Sequence, residues 1–141
     1  MAYGMKMFLG EYQPNLVEGA RLALPAKIRD QLQSTEIIIT RGFEKCLFGY
    51  ERGDWEKESE KEVASPISDS RTRKLKRYMY SGAASVALDT QGRFVIPPAL
   101  REYAALSKDV TVIGAGDHFE VWDTDSWKSH LVEISGQVSE G

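Results

Sequence analysis

Cysteine is almost absent from this 141-residue chain. Cys46 stands alone, which excludes an internal disulfide and agrees with a reducing compartment. Histidine is nearly as scarce: His118 and His130 are the only two, and with one thiol they make no spacing typical of a zinc site. No metal and no cofactor is expected. Long hydrophobic runs are missing as well. Stretches such as Ile37 to Ile39 and Ala83 to Leu88 fall far short of the roughly 20 residues that span a bilayer, and MAYGMKMFLGEY has no apolar centre of the kind a signal peptide carries. These absences predict a cytoplasmic protein with no membrane partner. A surplus of positive charge is also lacking: 18 Lys and Arg face 21 Asp and Glu, a net −3. Any binding to nucleic acid must therefore come from a local concentration of cations.

What the chain does contain is one segment twice. LVEGARLALPAKIR (Leu16 to Arg29) and LDTQGRFVIPPALR (Leu88 to Arg101) lie 72 positions apart. The same shift places Arg21 on Arg93, Pro25 on Pro97, Arg29 on Arg101, Gly42 on Gly114 and Trp55 on Trp127 in one uninterrupted register. Spread over such a register, these matches indicate a duplicated structural unit. Each half is so small that it can bury its apolar face only against its twin or another subunit, so an oligomer is expected.

Within each copy a short β-prone run, RLAL or RFVI, meets a proline, which ends a strand and suits the first turn of a helix. PAKIRDQL and PPALREYAAL place Ile28 with Leu32 and Leu100 with Ala104 on one helical face. Glu36 to Thr40 and Asp109 to Ile113 read as strands that return through turns as CLFGY and HFEVW. Closing helices follow, with Asp54 and Ser126 as caps or first-turn residues. The fold class is α+β, a tandem of β-α-β-β-α modules expected over residues 7–55 and 83–134, with an insert at 56–82 and tails at 1–6 and 135–141. Inside the insert, Ser65, Pro66 and Ser68 separate an acidic helix from a basic one over Asp69 to Ser81, which holds Arg71, Arg73, Lys74, Lys76 and Arg77. The simplest expectation is that the basic helix pairs with the acidic one.

The chemistry is concentrated in DTQGR. Asp89 can accept backbone hydrogen bonds, and Gly92 can take a positive φ. Arg93 then emerges at a defined place, sharing a strand face with Val95 while Phe94 and Ile96 take the other. An arginine there can be a structural ion-pair partner or a reader of phosphates and guanine edges. Repetition in two modules, multiplied by oligomerisation, presents the same cation at regular intervals, as a regularly spaced polyanion requires. Other candidates are weak. Cys46 reads as apolar filler, His118 as a hairpin residue, and the tryptophans as packing in equivalent cores. GAGDHF has neither phosphate-loop spacing nor a following Lys-Ser/Thr. No catalytic set is present, so no enzyme is expected.

MFLGEY, ARLALPAKIR, YSGAASVALDTQGRFVIPPALR and HFEVWDTDSW together resemble the MraZ family of bacterial transcriptional regulators, over about Met7 to Ile134. The resemblance implies two swapped-hairpin domains of the AbrB type and a ring-shaped homo-oligomer. It also implies a nucleoid-associated repressor that binds double-stranded promoter DNA at short repeated boxes ahead of its own division and cell-wall operon. The family's DNA-contacting motif falls on Arg21 and Arg93, with Gln91, Lys27, Arg29 and Arg101 as further DNA-binding candidates. The second copy has DxxGR whole as Asp89, Gly92 and Arg93. The first has Val17 and Ala20 in place of Asp89 and Gly92, with Glu18 and Gly19 expected to rebuild the turn one position earlier. The alternative is an oligomeric protein-interaction module without specific DNA binding; steep salt dependence and sequence discrimination would separate the two.

Overall fold

The computed structural model describes residues 6–18 and 20–140. The first half forms β1 (Glu11–Tyr12), β2 (Arg21–Ala23), α1 (Ala26–Arg29), β3 (Glu36–Arg41), β4 (Leu47–Glu51) and α2 (Arg52–Glu62). After α3 (Ser70–Ser81) the order repeats as β5 (Ala84–Ala87), β6 (Arg93–Val95), α4 (Pro98–Tyr103), β7 (Val110–Gly114), β8 (Phe119–Asp123) and α5 (Thr124–Glu140). Each copy thus has one strand more than the expected β-α-β-β-α. β1 holds only two residues, and its partner lies in the other copy, so no local pattern announces it. α5 runs to Glu140, through most of the segment expected as a tail; residues 1–5 of the other expected tail lie outside the described residues.

The copies are interleaved. One antiparallel sheet has the order β1-β7-β8-β4-β3-β5, and a separate two-stranded ribbon pairs β2 with β6. The first copy's β1 lies on the second copy's β7, and the second copy's β5 lies on the first copy's β3. Two pairings fall on residues related by the 72-residue shift, Leu22 opposite Phe94 and Phe48 opposite Glu120. A pseudo-twofold axis therefore runs through the ribbon and through the β4–β8 seam. Alternation along the strands sends Leu22, Ile37, Ile39, Phe94, Val110, Val112, Phe119 and Val121 into a single core fed by both copies. Neither half could close this core alone.

The uninterrupted register does not survive in the hairpins. Gly49 and Val121 are equivalent at a shift of 72, but their partners Ile39 and Val112 are 73 apart. The connection from α4 to β7 holds an extra residue and contains Ala105 at φ 50. The β7–β8 turn compensates, spanning 115–118 where the β3–β4 turn spans 42–46. Gly42 and Gly114 match in sequence, then, without being structural equivalents. Runs of β-branched residues look alike in either register, which conceals the slip.

The insert departs from expectation in one respect. Asp69 caps α3 by accepting from the Arg71 amide and the Thr72 hydroxyl, as its position suggests. α3 and α2 meet, however, through an apolar cluster of Ile38, Tyr50, Trp55, Val63 and Met79. Among the described residues no ion pair joins the two helices; the charges of α2 pair within their own helix, with Glu36 or with Lys6. Exposed charges gain little from pairing, while the shared apolar stripe is what brings the helices together.

Candidate nucleic-acid interface

The ribbon builds the site. Leu22, Leu24, Phe94 and Ile96 point into the core, all 3% exposed or less, so alternation drives Arg21, Ala23, Arg93 and Val95 outward. Arg21 lies opposite Val95, and Arg93 opposite Ala23. The two arginines are therefore diagonal neighbours, about 7–8 Å apart. Matching backbone bonds, Leu24 N to Gly92 O at 3.0 Å and Ile96 N to Ala20 O at 2.9 Å, tie each strand to the loop ahead of its partner. The outer face thus carries two cations flanking apolar side chains on a two-stranded support.

The loop leading to Arg93 is closely defined. Asp89 Oδ1 accepts from the Gln91 and Arg93 amides, both at 2.9 Å, and Oδ2 accepts from Arg93 Nε at 2.9 Å. The Arg93 amide, followed by the Arg93 side chain and the Gln91 amide, holds the Asp89 carboxyl below the usual carboxylate range. Gly92 closes the turn at φ 76, where a side chain is strained. Only Nε of Arg93 is taken, which leaves the terminal donor pair for bidentate contact. Arg93 is thus an ion-pair partner on one edge and open on the other.

The loop leading to Arg21 follows the same backbone with fewer supports. Val17 and Arg21 exchange amide-to-carbonyl bonds at 3.0 and 3.3 Å. The left-handed residue is Ala20 itself, at φ 59, in register with Gly92; the Gly19 part of the expected rearrangement lies outside the described residues. Val17 offers no acceptor side chain, and among the described residues no carboxylate pairs with Arg21. Glu18 is exposed on the same loop.

The other candidates sit around this frame. Gln91 is exposed at the tip of the second loop, while Lys27 on α1 and Arg101 on α4 are exposed on the short helices that follow each ribbon strand. Arg29, also on α1, is half-buried and donates from Nη1 to the Gln91 carbonyl at 3.2 Å. Ala23 and Val95 share the ribbon's outer face with the two arginines, as strand alternation requires. The basic helix α3 stands apart. It packs on the Ile38 and Tyr50 side of the sheet, whereas the ribbon covers the Ile37 and Ile39 side.

Elsewhere the reactive groups are quiet. Burial pushes the Cys46 thiol far up, so it stays a thiol. His118 is held by Asp117 at 2.8 Å and Glu120 at 2.7 Å and packs on the Phe48 and Tyr50 rings. Among the described residues no helix is long and apolar enough to cross a membrane.

Comparison with known proteins extends the geometry. The family model described as "MraZ protein, putative antitoxin-like" matches residues 7–78 and again 79–140. Similar proteins named "Transcriptional regulator MraZ" include that of Roseiflexus castenholzii, 43% identical over 133 residues covering 94% of this chain and 92% of that protein. Those of Micrococcus luteus and an Arthrobacter species are each 42% identical over 134 residues, covering 95% of this chain and 93% and 94% of theirs.

Proposed function

Because the chain belongs to the MraZ family, we propose that it is a sequence-specific DNA-binding transcriptional regulator rather than an enzyme. The observation that carries this reading is the outer face of the β2–β6 ribbon. A two-stranded ribbon fits the roughly 12 Å major groove, and the free edge of Arg93 suits the O6 and N7 acceptors of guanine. Val95 and Ala23 lie between the arginines, where a thymine methyl can pack. Arg21, without a clamp, serves as the mobile phosphate or base contact, with Gln91, Lys27 and Arg101 at the margins of the same footprint.

The arrangement of the protein follows from the same reading. The interleaving of β1 with β7 and of β5 with β3 supports a swapped-hairpin barrel of the AbrB type, with modules 7–55 and 83–134 closing on one another within one chain. Further copies assemble into a ring that sets ribbons against successive boxes of one promoter, in the nucleoid and ahead of its own division and cell-wall operon. Avidity across those boxes then outweighs the strength of any single contact.

The test is a fluorescence-anisotropy titration of the full chain, at two salt concentrations, against its own upstream DNA and a shuffled duplex. Preference for the upstream DNA that weakens steeply with salt is expected. Arg93→Ala should lower that affinity roughly 5- to 100-fold, and Arg21→Ala should lower it less. Equal, weak binding to both duplexes would refute the proposal.

A further inference from the structure

Arg29 belongs to the first copy, yet the groups it touches belong to the second. From α1 its side chain donates to the Gln91 carbonyl at 3.2 Å and lies against Gly92. A Cβ at position 92 would sit 2.7 Å from Arg29 Cδ and collide with Nη1. The missing side chain at Gly92 is therefore a seat for the Arg29 stem as well as a release for the backbone. Gln91 and Gly92 lie directly between Asp89 and Arg93, inside the loop whose carboxylate holds Arg93 Nε. Arg29 is half-buried, and Nη1 of its guanidinium is engaged in this contact.

The equivalent place in the other half differs. Arg101, related to Arg29 by the 72-residue shift, is exposed and stands in a surface recess with Val17, Glu18 and Ala20. The methyl of Ala20, itself buried, takes up the space that Gly92 leaves open for Arg29.

Resting on the DNA-binding reading above, we infer that Arg29 is a positioning residue: it braces the second copy's DTQGR loop from the first copy and acts on DNA through Arg93 instead of touching it. Asp89 fixes the Arg93 side chain from below, and Arg29 fixes the loop tip from the side. The first copy has neither device, so the ribbon is symmetric in backbone and asymmetric in reading. Arg93 supplies most of the base discrimination, and Arg21 supplies most of the anchoring.

The experiment is a double-mutant cycle in the full-length protein. Wild type, Arg29→Ala, Arg93→Ala and the double variant are titrated against upstream DNA and the shuffled duplex at two salt concentrations. Arg29→Ala should cut the preference for upstream DNA roughly three- to tenfold while leaving the salt slope unchanged, and it should add nothing in the Arg93→Ala background. An equal loss on both duplexes, a salt slope lower by about 0.9, or full additivity would make Arg29 a direct phosphate contact and overturn the inference. Hydrogen exchange without DNA supplies an independent readout. The Gln91 and Arg93 amides should exchange faster in Arg29→Ala, and Arg29→Lys, which keeps a cationic N–H donor, should restore part of the protection; unchanged exchange would overturn the brace whatever the DNA result. Should wild type fail to discriminate between the duplexes, the DNA-binding reading falls, and the exchange data still decide whether the brace exists.

Discussion

Gly49 lies beside the pseudo-twofold axis, opposite Phe119 in the β4–β8 seam that joins the two copies. A methyl group there would overlap three atoms of the Phe119 ring. That ring is fully buried and meets Phe8 edge-on at 5.7 Å, so it cannot step aside without opening the core. Overpacking of this kind costs about 1–3 kcal/mol, and a ring locked on both sides places Gly49→Ala near 3 kcal/mol. Gly136 provides the control: it is exposed within α5 and a Cβ added there would meet nothing within 4 Å. The same chemical change at Gly136 should stabilise by about 0.5–1 kcal/mol through helix propensity alone. For a chain of this length 1 kcal/mol moves Tm by about 3–5 °C, so a loss of about 10 °C at one glycine is set against a gain of a few degrees at the other. Urea and thermal unfolding at a single protein concentration measure both, and equal m-values keep the comparison clean. Gly49→Ala within about 0.5 kcal/mol of wild type would show that Phe119 is free to move and that the seam is not the closed core described here.

Gly92→Ala should lose about 1–3 kcal/mol of stability, because φ 76 is unfavourable for any side chain, and the same unfolding assay reports it; a neutral result would mean the turn can relax. His118 is predicted to titrate above its ordinary value. Burial opposes its charged form, but hydrogen bonds and charges from Glu120 and Asp117 outweigh that. The sign follows: with the folded pKa raised above the unfolded one, its stabilisation is complete below about pH 6.5 and fades as pH rises through the folded value. NMR titration of the imidazole and Tm against pH check both halves, and a pKa below 6.5 would contradict them. Cys46, with its thiol pushed up by burial, should resist thiol reagents in the native protein and react only on unfolding, as stoichiometric labelling with and without urea will show.

The local features of the chain were legible because they depend on near neighbours. Pro25 and Pro97 stand immediately before α1 and α4, Asp69 caps α3, and alternation places Phe94 inward and Val95 outward. The Asp89 turn and its arginine could be read from five residues for the same reason. What escaped was non-local. β1 consists of two residues whose partners are Ile113 and Val112, a pairing no window can contain. The one-residue slip between Ile39 and Val112 was hidden because both registers present β-branched residues. In the insert the charges dominate the local pattern, but burial of Trp55, Val63 and Met79 joins its helices.

The amino-acid order by itself determined the duplication, the elements within each copy, and the presence of an arginine at the head of each repeated strand. Those properties rest on backbone preferences and on periods of two and 3.6, which act over a few residues. Tertiary structure alone decided that the copies exchange β1 and β5 and share one core, since each half has too little apolar surface to close around itself. It also decided that Arg21 and Arg93 become neighbours on one ribbon, with Arg29 from the first copy resting on Gly92 of the second. The 62 positions between Arg29 and Gln91 are bridged only once the core has paid the chain entropy of bringing the two copies together.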